Sequence, residues 1–361
     1  MKQLTTIPSF NQPTNIHISD IRTFRSCRRK WDFSSGLRQN LEPSVPYAPF
    51  FVGRAVHYAL EEYYGKGQSI WDSLDAYLAN ETKIAGNLWK GEQQQWDDSV
   101  ALISEVLQHY MLWIQVDTSE FRDETLEFMD LEVPFNVPMY DPDTGIPDPR
   151  VRLEGRFDGI VYHKPSHTYW IWECKTARSI GELAKSLEND EQAGAYVFAA
   201  QQMKDIKISG VLYNIMRKKA PVHPREINTG MLSKAKGDFT AFSYIADLRK
   251  HHGADVDWKF LEQHYGDMFY NMSIGDNGFF VRLPIRRNQY EIKELQDNLY
   301  WTAMEMINPE VKAYPAPTFI QCNFCSFRAP CLTMSKGGNF QSLLQAEYQQ
   351  RVRAESFREV E

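Results

Sequence analysis

No apolar run in the sequence approaches the roughly 18–20 residues that a bilayer-spanning helix needs, and the stretch from Met1 to Thr14 has no secretory-signal core. A membrane span is therefore not expected, and the expected location is the cytoplasm. No Gly-x-x-x-x-Gly-Lys-Ser/Thr loop is present, which argues against a nucleotide-driven motor. Internal repeats and low-complexity linkers are missing too. Nor is there an excess of positive charge: 40 Lys and Arg stand against 47 Asp and Glu, a formal net charge of −7. That balance speaks mildly against a nucleic-acid binder, although catalytic carboxylates and acidic helices can produce it, so the local distribution of basic residues matters more. Cysteine is scarce: five residues, an odd number for a disulfide framework, which a reducing cytoplasm would keep as thiols.

What is present has the composition of a soluble globular protein, with 43% hydrophobic and 24% charged residues in a chain of 361. Length alone allows one to three domains. The chain is organised around Leu153 to Tyr196. Gly155 to Tyr162 reads as a strand that brings the Asp158 carboxylate out of an apolar run. A turn over His163 to His167 leads to its hairpin partner, Thr168 to Trp172, which runs into Glu173-Cys174-Lys175. Strand alternation puts Glu173 and Lys175 on one face and turns Cys174 away. Gln192 and Tyr196 follow on one face of a helix, four residues apart. Two carboxylates and a lysine so arranged make a compact site for a divalent cation and an activated water.

Around this core the chain divides into readable stretches. Residues 1–15 are polar, an expected loose arm. Ser19 to Phe33 predicts a helix capped by Ser19, with Arg22, Arg25, Arg28, Arg29 and Lys30 around Cys27. Pro49 to Gly65 predicts an amphipathic helix closed by its glycine and carrying Gly53 and His57, with Glu61 assigned to the surface. Residues 70–120 read as helical, with Trp71, Trp89, Trp96 and Trp113 expected in the core. Thr125 to Val137 turns β-like. The Asp141–Gly145 run lacks the later glutamate of a calcium loop. Ile206 to Met216 predicts a strand with a basic tip, Arg217-Lys218-Lys219. Residues 233–273 read as two helices with Arg249 to His252 between them. Phe279 to Leu283 reads as a short strand, and Gln289 to Met306 and Phe340 to Val360 as helices. Cys322, Cys325 and Cys331 form a C-x-x-C-x-x-x-x-x-C cluster, and with Cys27 they give four candidate ligands for one centre, zinc or iron–sulfur.

The succession Gly155-x-x-Asp158, Glu173-x-Lys175 and Gln192-x-x-x-Tyr196 resembles the RecB-like branch of the PD-(D/E)XK nucleases, with Phe157 where the superfamily name has proline. The resemblance covers about Gly53 to Tyr213 together with the two cysteine segments. It implies an α/β, restriction-endonuclease-like fold: a central mixed sheet flanked by helices, with helical insertions and with N- and C-terminal segments joined at an iron–sulfur cluster. The expected organisation is an arm with the first cluster ligand (1–33), a nuclease core (49–220) containing a helical region (70–120), a mostly helical region (221–313), and a cysteine cluster with a final helix (314–361). By the same resemblance Asp158 and Glu173 hold Mn2+ or Mg2+, aided by the Cys174 carbonyl and by His57, which matches the family's Gly-x-x-x-His motif. Lys175 orients the attacking water or stabilises developing charge, and Gln192 and Tyr196 position the lysine or the strand. The cysteine arrangement resembles that of the CRISPR-associated iron–sulfur exonucleases and the AddB nuclease domain, implying a structural [4Fe–4S] cluster on Cys27, Cys322, Cys325 and Cys331. Arg28, Arg29, Arg217 and Lys218 are the candidate DNA contacts. The implied activity is metal-dependent DNA exonuclease action on single strands or duplex ends, in recombination, repair or CRISPR adaptation beside the proteins of those processes. A structure-specific endonuclease and a catalytically inactive nucleic-acid-binding assembly subunit are the alternatives. The intact Asp158, Glu173 and Lys175 argue against the inactive one.

Overall fold

The structure, a computed structural model, describes residues 12–44, 48–85, 90–204, 206–235, 237–271 and 278–351. The chain begins with β1 (Thr14–His17), α1 (Ile18–Ser26), α2 (Arg28–Ser34), β2 (Leu41–Pro43) and α3 (Ala48–Lys66). Helices α4 (Ile70–Ala85) and α5 (Lys90–Ile114) precede the long strands β3 (Leu126–Tyr140) and β4 (Pro147–His163). Next come β5 (Thr168–Ala177), α6 (Ile180–Leu187), α7 (Glu191–Lys204) and β6 (Ile208–Arg217). Helices α8 (Ala241–His252) and α9 (Trp258–Asn271), strand β7 (Phe280–Arg286) and α10 (Gln289–Ile307) follow. Short elements close the described chain: α11 (Phe319–Asn323), α12 (Arg328–Ser335), α13 (Phe340–Glu347) and β8 (Tyr348–Gln350). The chain folds as two compact units, one of Met1–Pro46, Pro134–Gly155 and Gln289–Glu361, the other of Tyr47–Val133 and Arg156–Asn288.

In the second unit β5 is the central strand, because Trp170 to Cys174 are buried one after another and only a strand covered on both faces tolerates such a run. It pairs antiparallel with β4, from Gly159↔Trp172 to His163↔Thr168. On its other side it pairs parallel with β6, bringing Glu173 opposite Tyr213 and Cys174 opposite Asn214. The parallel step needs a crossover, which α6 and α7 supply. β7 then adds antiparallel to β6, so the sheet is mixed. One face of Trp170, Trp172, Cys174, Leu212 and Met216 packs with the apolar stripes of α3, α4 and α5. A smaller cluster, including Tyr244, Leu248, Leu261 and Tyr265, holds α8 to α9. The buried cation Arg282 on β7 ion-pairs with Asp123, donates to the Phe121 carbonyl at 2.8 Å and lies over Trp113 and Trp172. A buried charge persists only when paired in this way.

In the first unit β1 pairs parallel with the first half of β4, Thr14↔Val151 to His17↔Glu154. Asp148 at the start of β4 accepts from Arg150 and from the Tyr300 hydroxyl of α10, at 2.6 and 2.8 Å. A small core of Phe33, Phe327 and Leu344 joins α2 to the C-terminal helices, and β2 pairs antiparallel with β8.

Several expectations change. Residues 1–11 of the predicted arm lie outside the described residues, and Thr14–His17 is a strand. The helix expected over Ser19 to Phe33 is two helices, broken where Cys27 is extended at φ −164° and ψ 108°. Arg249 to His252 form the last turn of α8 rather than a link between helices. The closing helix stops at Glu347, because Tyr348–Gln350 pairs with Leu41–Pro43. Trp113 is buried and Trp96 packs against the core, but Trp71 is exposed; Trp89 lies outside the described residues. No helix among the described residues is long and apolar enough to cross a membrane.

Candidate active site

The predicted motif residues of the second unit converge at the open end of the β4–β5 ladder. Past the pair Gly159↔Trp172, the Cys174 N–H donates to Asp158 Oδ2 at 2.7 Å, so a side chain takes the place of a strand partner. Gly159 is required here by contact: a Cβ on it would stand 2.4 Å from Leu131 Cδ2 and 2.9 Å from the Asp130 carbonyl oxygen. That close approach coincides with an irregularity in β3, where Glu132 adopts φ +50°, the left-handed region that side chains other than glycine rarely enter.

Glu173 is buried and its Oε1 accepts from Lys175 Nζ at 2.5 Å. Its Oε2 is buried with no hydrogen-bond partner. Lys175 Nζ also donates to Gln192 Oε1 at 3.3 Å, and Gln192 Nε2 donates to Tyr196 Oη at 2.6 Å. The i, i+4 spacing on α7 puts the Gln192 amide and the Tyr196 hydroxyl in contact. Small buried residues on this helix, Ala193, Gly194, Ala195, Ala199 and Ala200, let it lie against β5 and β6. Cys174 faces the other way, its Sγ receiving a long contact of 3.8 Å from Asn214 Nδ2.

Helix α3 brings His57 to the same end of the sheet. Its Gly53 eases that approach, since a Cβ would sit 3.3 Å from Thr176 Oγ1 and the threonine would have to give by a few tenths of an ångström. His57 Nδ1 stands 3.4 Å from Asp158 Oδ2. A small cavity is lined by His57, Glu61, Glu132 and Asp158 on its polar side and by Leu60, Leu131, Trp172 and Cys174. Glu61, read from the sequence as surface, therefore faces this cavity. Glu132 was not picked out at all: β3 alternation carries no mark of a residue whose backbone turns left-handed. Arg156 Nη1 braces its carboxylate at 3.1 Å.

Burial pushes the Asp158 carboxyl up to about 7, against the Cys174 N–H that favours its charge and with the help of Glu132. Burial and repulsion from Asp158 raise Glu173 to about 7, with Lys175 opposing. Burial works against the charge of Lys175, but Glu173 outweighs it and the ammonium is held above its usual range. His57 is lowered by burial, which favours the neutral imidazole that can serve as a ligand. Among the described residues no three His, Cys, Asp or Glu side chains stand close enough to enclose a metal ion. A hydrated magnesium or manganese ion asks less, one or two carboxylates with the remaining positions filled by water and phosphate. A buried carboxylate on Glu173, a part-buried one on Asp158, an orphaned carboxylate oxygen and a neutral imidazole fit that demand.

The four other cysteines belong to the first unit. Cys27 sits at the break between α1 and α2, Cys322 and Cys325 lie in and after α11, and Cys331 is on α12. Burial raises the Cys325 thiol, and its environment includes Lys30, Cys27 and Cys331. Arg29 Nη1 donates to Cys331 Sγ at 3.7 Å and to Ser335 Oγ at 3.1 Å. Arg28 pairs with Glu305 and lies over the Phe24 and Tyr314 rings. In the second unit Arg217 pairs with Asp238 at 2.7 Å, and burial lowers Lys218. Arg28, Arg29 and Arg217 thus have side-chain partners within the chain.

The family model of the PD-(D/E)XK nuclease superfamily matches residues 16–332, which include every motif residue of this site. No curated protein matches the chain.

Proposed function

Because the chain belongs to the PD-(D/E)XK nuclease superfamily, we propose that it is a divalent-metal-dependent deoxyribonuclease that degrades single-stranded DNA or DNA ends. The observation that carries this reading is the buried Glu173 Oε2, without a hydrogen-bond partner beside Asp158. Leaving such an oxygen unpaired costs about 1–3 kcal/mol, a cost that a bound cation would remove. Asp158, Glu173, the Cys174 carbonyl and His57 would hold the ion. When bound it offsets charge on the scissile phosphate and lowers the pKa of a water. The residues around it do the rest. Lys175, with one N–H on Glu173 and one on Gln192, keeps a third donor for the attacking water or a phosphate oxygen. Tyr196 holds the Gln192 amide, and the wall of Leu60, Leu131 and Trp172 keeps the cavity dry on one side.

The exonuclease mode and a place in recombination, repair or CRISPR adaptation rest on the resemblance to the iron–sulfur exonucleases. So does a [4Fe–4S] cluster on Cys27, Cys322, Cys325 and Cys331. Cys27 and Cys331 act electrostatically on the Cys325 thiol and Arg29 gives an N–H to Cys331, but among the described residues no three of these thiols enclose a metal site.

Cleavage of end-labelled single-stranded DNA and of a circular single strand tests the reading. The linear substrate is expected to be degraded with manganese or magnesium and spared in EDTA, and the circle to survive. Rapid cleavage of the circle would instead establish an endonuclease.

A further inference from the structure

We propose that Asp190 is a positioning residue for Lys175, acting through Gln192 and anchored by Tyr213. The inference rests on the nuclease reading of Glu173 and Lys175 and extends it to the hydrogen bonds that hold them.

Asp190 immediately precedes α7, and its two carboxylate oxygens do different things. Oδ1 accepts from the Gln192 backbone N–H at 3.0 Å, as a helix cap does. Oδ2 accepts from the Tyr213 hydroxyl at 3.1 Å. A cap needs only the first contact. The second ties the start of α7 to β6 at a fully buried tyrosine, at the position directly opposite Glu173 in the parallel register. The strand pair that carries Glu173 and the helix that carries Gln192 are thereby joined two residues before Gln192 and directly opposite Glu173.

Gln192 transmits this constraint. Its amide is held at both ends, Oε1 on Lys175 Nζ and Nε2 on Tyr196 Oη. The orientation is fixed because the reversed amide would set its two N–H donors against an ammonium. Lys175 in turn has three N–H donors, of which Glu173 and Gln192 direct two, and those two define where the third points. Releasing the first turn of α7 lets Gln192 draw back, and the lysine then turns about its one remaining anchor. A misplacement of this size near reacting atoms can cost on the order of 100-fold.

Five variants test the inference on the full-length protein, read as kcat and KM on a single-stranded oligonucleotide, with thermal melting as a fold check. Asp190→Ser keeps a cap and loses the tie to β6; Tyr213→Phe removes only the hydroxyl. Each is expected to lower kcat about 10-fold with KM unchanged, whereas Asp190→Asn, which can meet both partners, keeps most of the rate. In a Gln192→Ala background, adding Asp190→Ser is expected to cost nothing more, because residues acting through one another are not additive. Parental kcat in both Asp190→Ser and Tyr213→Phe overturns the inference. So does an undiminished effect of Asp190→Ser in the Gln192→Ala background. A parent protein that leaves DNA uncut in manganese and magnesium overturns the nuclease reading, and this inference with it.

Discussion

The residue that most separates this site from its sequence pattern is Glu132. Its carboxylate lines the cavity beside His57 and Asp158, held there by a backbone at φ +50° that costs a non-glycine residue about 1 kcal/mol or more. Replacing Glu132 with glycine removes the strain and the carboxylate together. Glu132→Gly is therefore expected to melt within about 1 kcal/mol of the parent or above it, while its cleavage rate falls several-fold. A clear loss of stability with full activity would show that the strain serves the fold alone. The Cys174 thiol sits at the opposite extreme. Buried, with a 3.8 Å contact from Asn214 and a further hydrogen bond from Trp172, it faces away from the carboxylates, so Cys174→Val should keep the cleavage rate at a cost of about 1 kcal/mol. Loss of cleavage in a well-folded Cys174→Val protein would give the thiol a role this account denies it. The motif residues were legible because strand alternation and helical spacing fix directions from sequence alone. Glu132 was not, because one left-handed residue resets the alternation and leaves no compositional trace.

Among the elements, α3 packs through its apolar stripe and comes close to β5 at Gly53. The Gly53 site leaves 3.3 Å between a would-be Cβ and Thr176 Oγ1, so Gly53→Val should push the helix from the end of β5. His57 would lose its place near Asp158, and cleavage should fall at least 10-fold in protein that still folds; parental cleavage would mean that His57 does not need this approach. A second element-scale prediction concerns Asp148 at the start of β4. Its carboxyl is held down to about 2, first by hydrogen bonds from Arg150 and also by the Tyr300 hydroxyl. A depressed carboxyl contributes stability that is complete above its unfolded pKa, near about 4, and lost as pH falls through about 2. The shift corresponds to about 2 kcal/mol, reduced to about 1 because Arg150 is half exposed. Asp148→Asn should therefore be less stable at neutral pH, and the gap from the parent should close between pH about 4 and about 2. A gap that stays constant over that range would rule out the ion pair as its cause. Helices and strands with strong periodicity were legible, β5 and α7 above all. Two boundaries were not. Nothing in Arg25-Ser26-Cys27-Arg28 breaks a helix locally, and Gln345 to Gln350 favours helix by composition, yet pairing of Tyr348–Gln350 with β2 overrides it.

For the whole molecule, the chain returns on itself: its N-terminal segment and the segment from Gln289 onward form one unit, and the residues between supply most of the other. Local pattern cannot show this, because the contacts that define it, Phe33 on Phe327 and β2 on β8, join residues about the whole chain apart. The cysteines were a partial guide, since Cys27 and the Cys322–Cys331 cluster fall in the same unit. A four-cysteine cluster there predicts brown protein after anaerobic purification, with about four irons per chain and with iron lost in Cys27→Ala. Colourless parent protein holding one zinc would replace the cluster with a zinc site. The measurement that bears most directly on the central claim is cleavage by the active-site variants. With manganese present, the parent should degrade single-stranded DNA, and folded Glu173→Ala and Lys175→Ala proteins should cleave about 100- to 1000-fold more slowly, the size expected for loss of an electrostatic contact made in the transition state. Cleavage at the parental rate in both variants would contradict the assignment of this site.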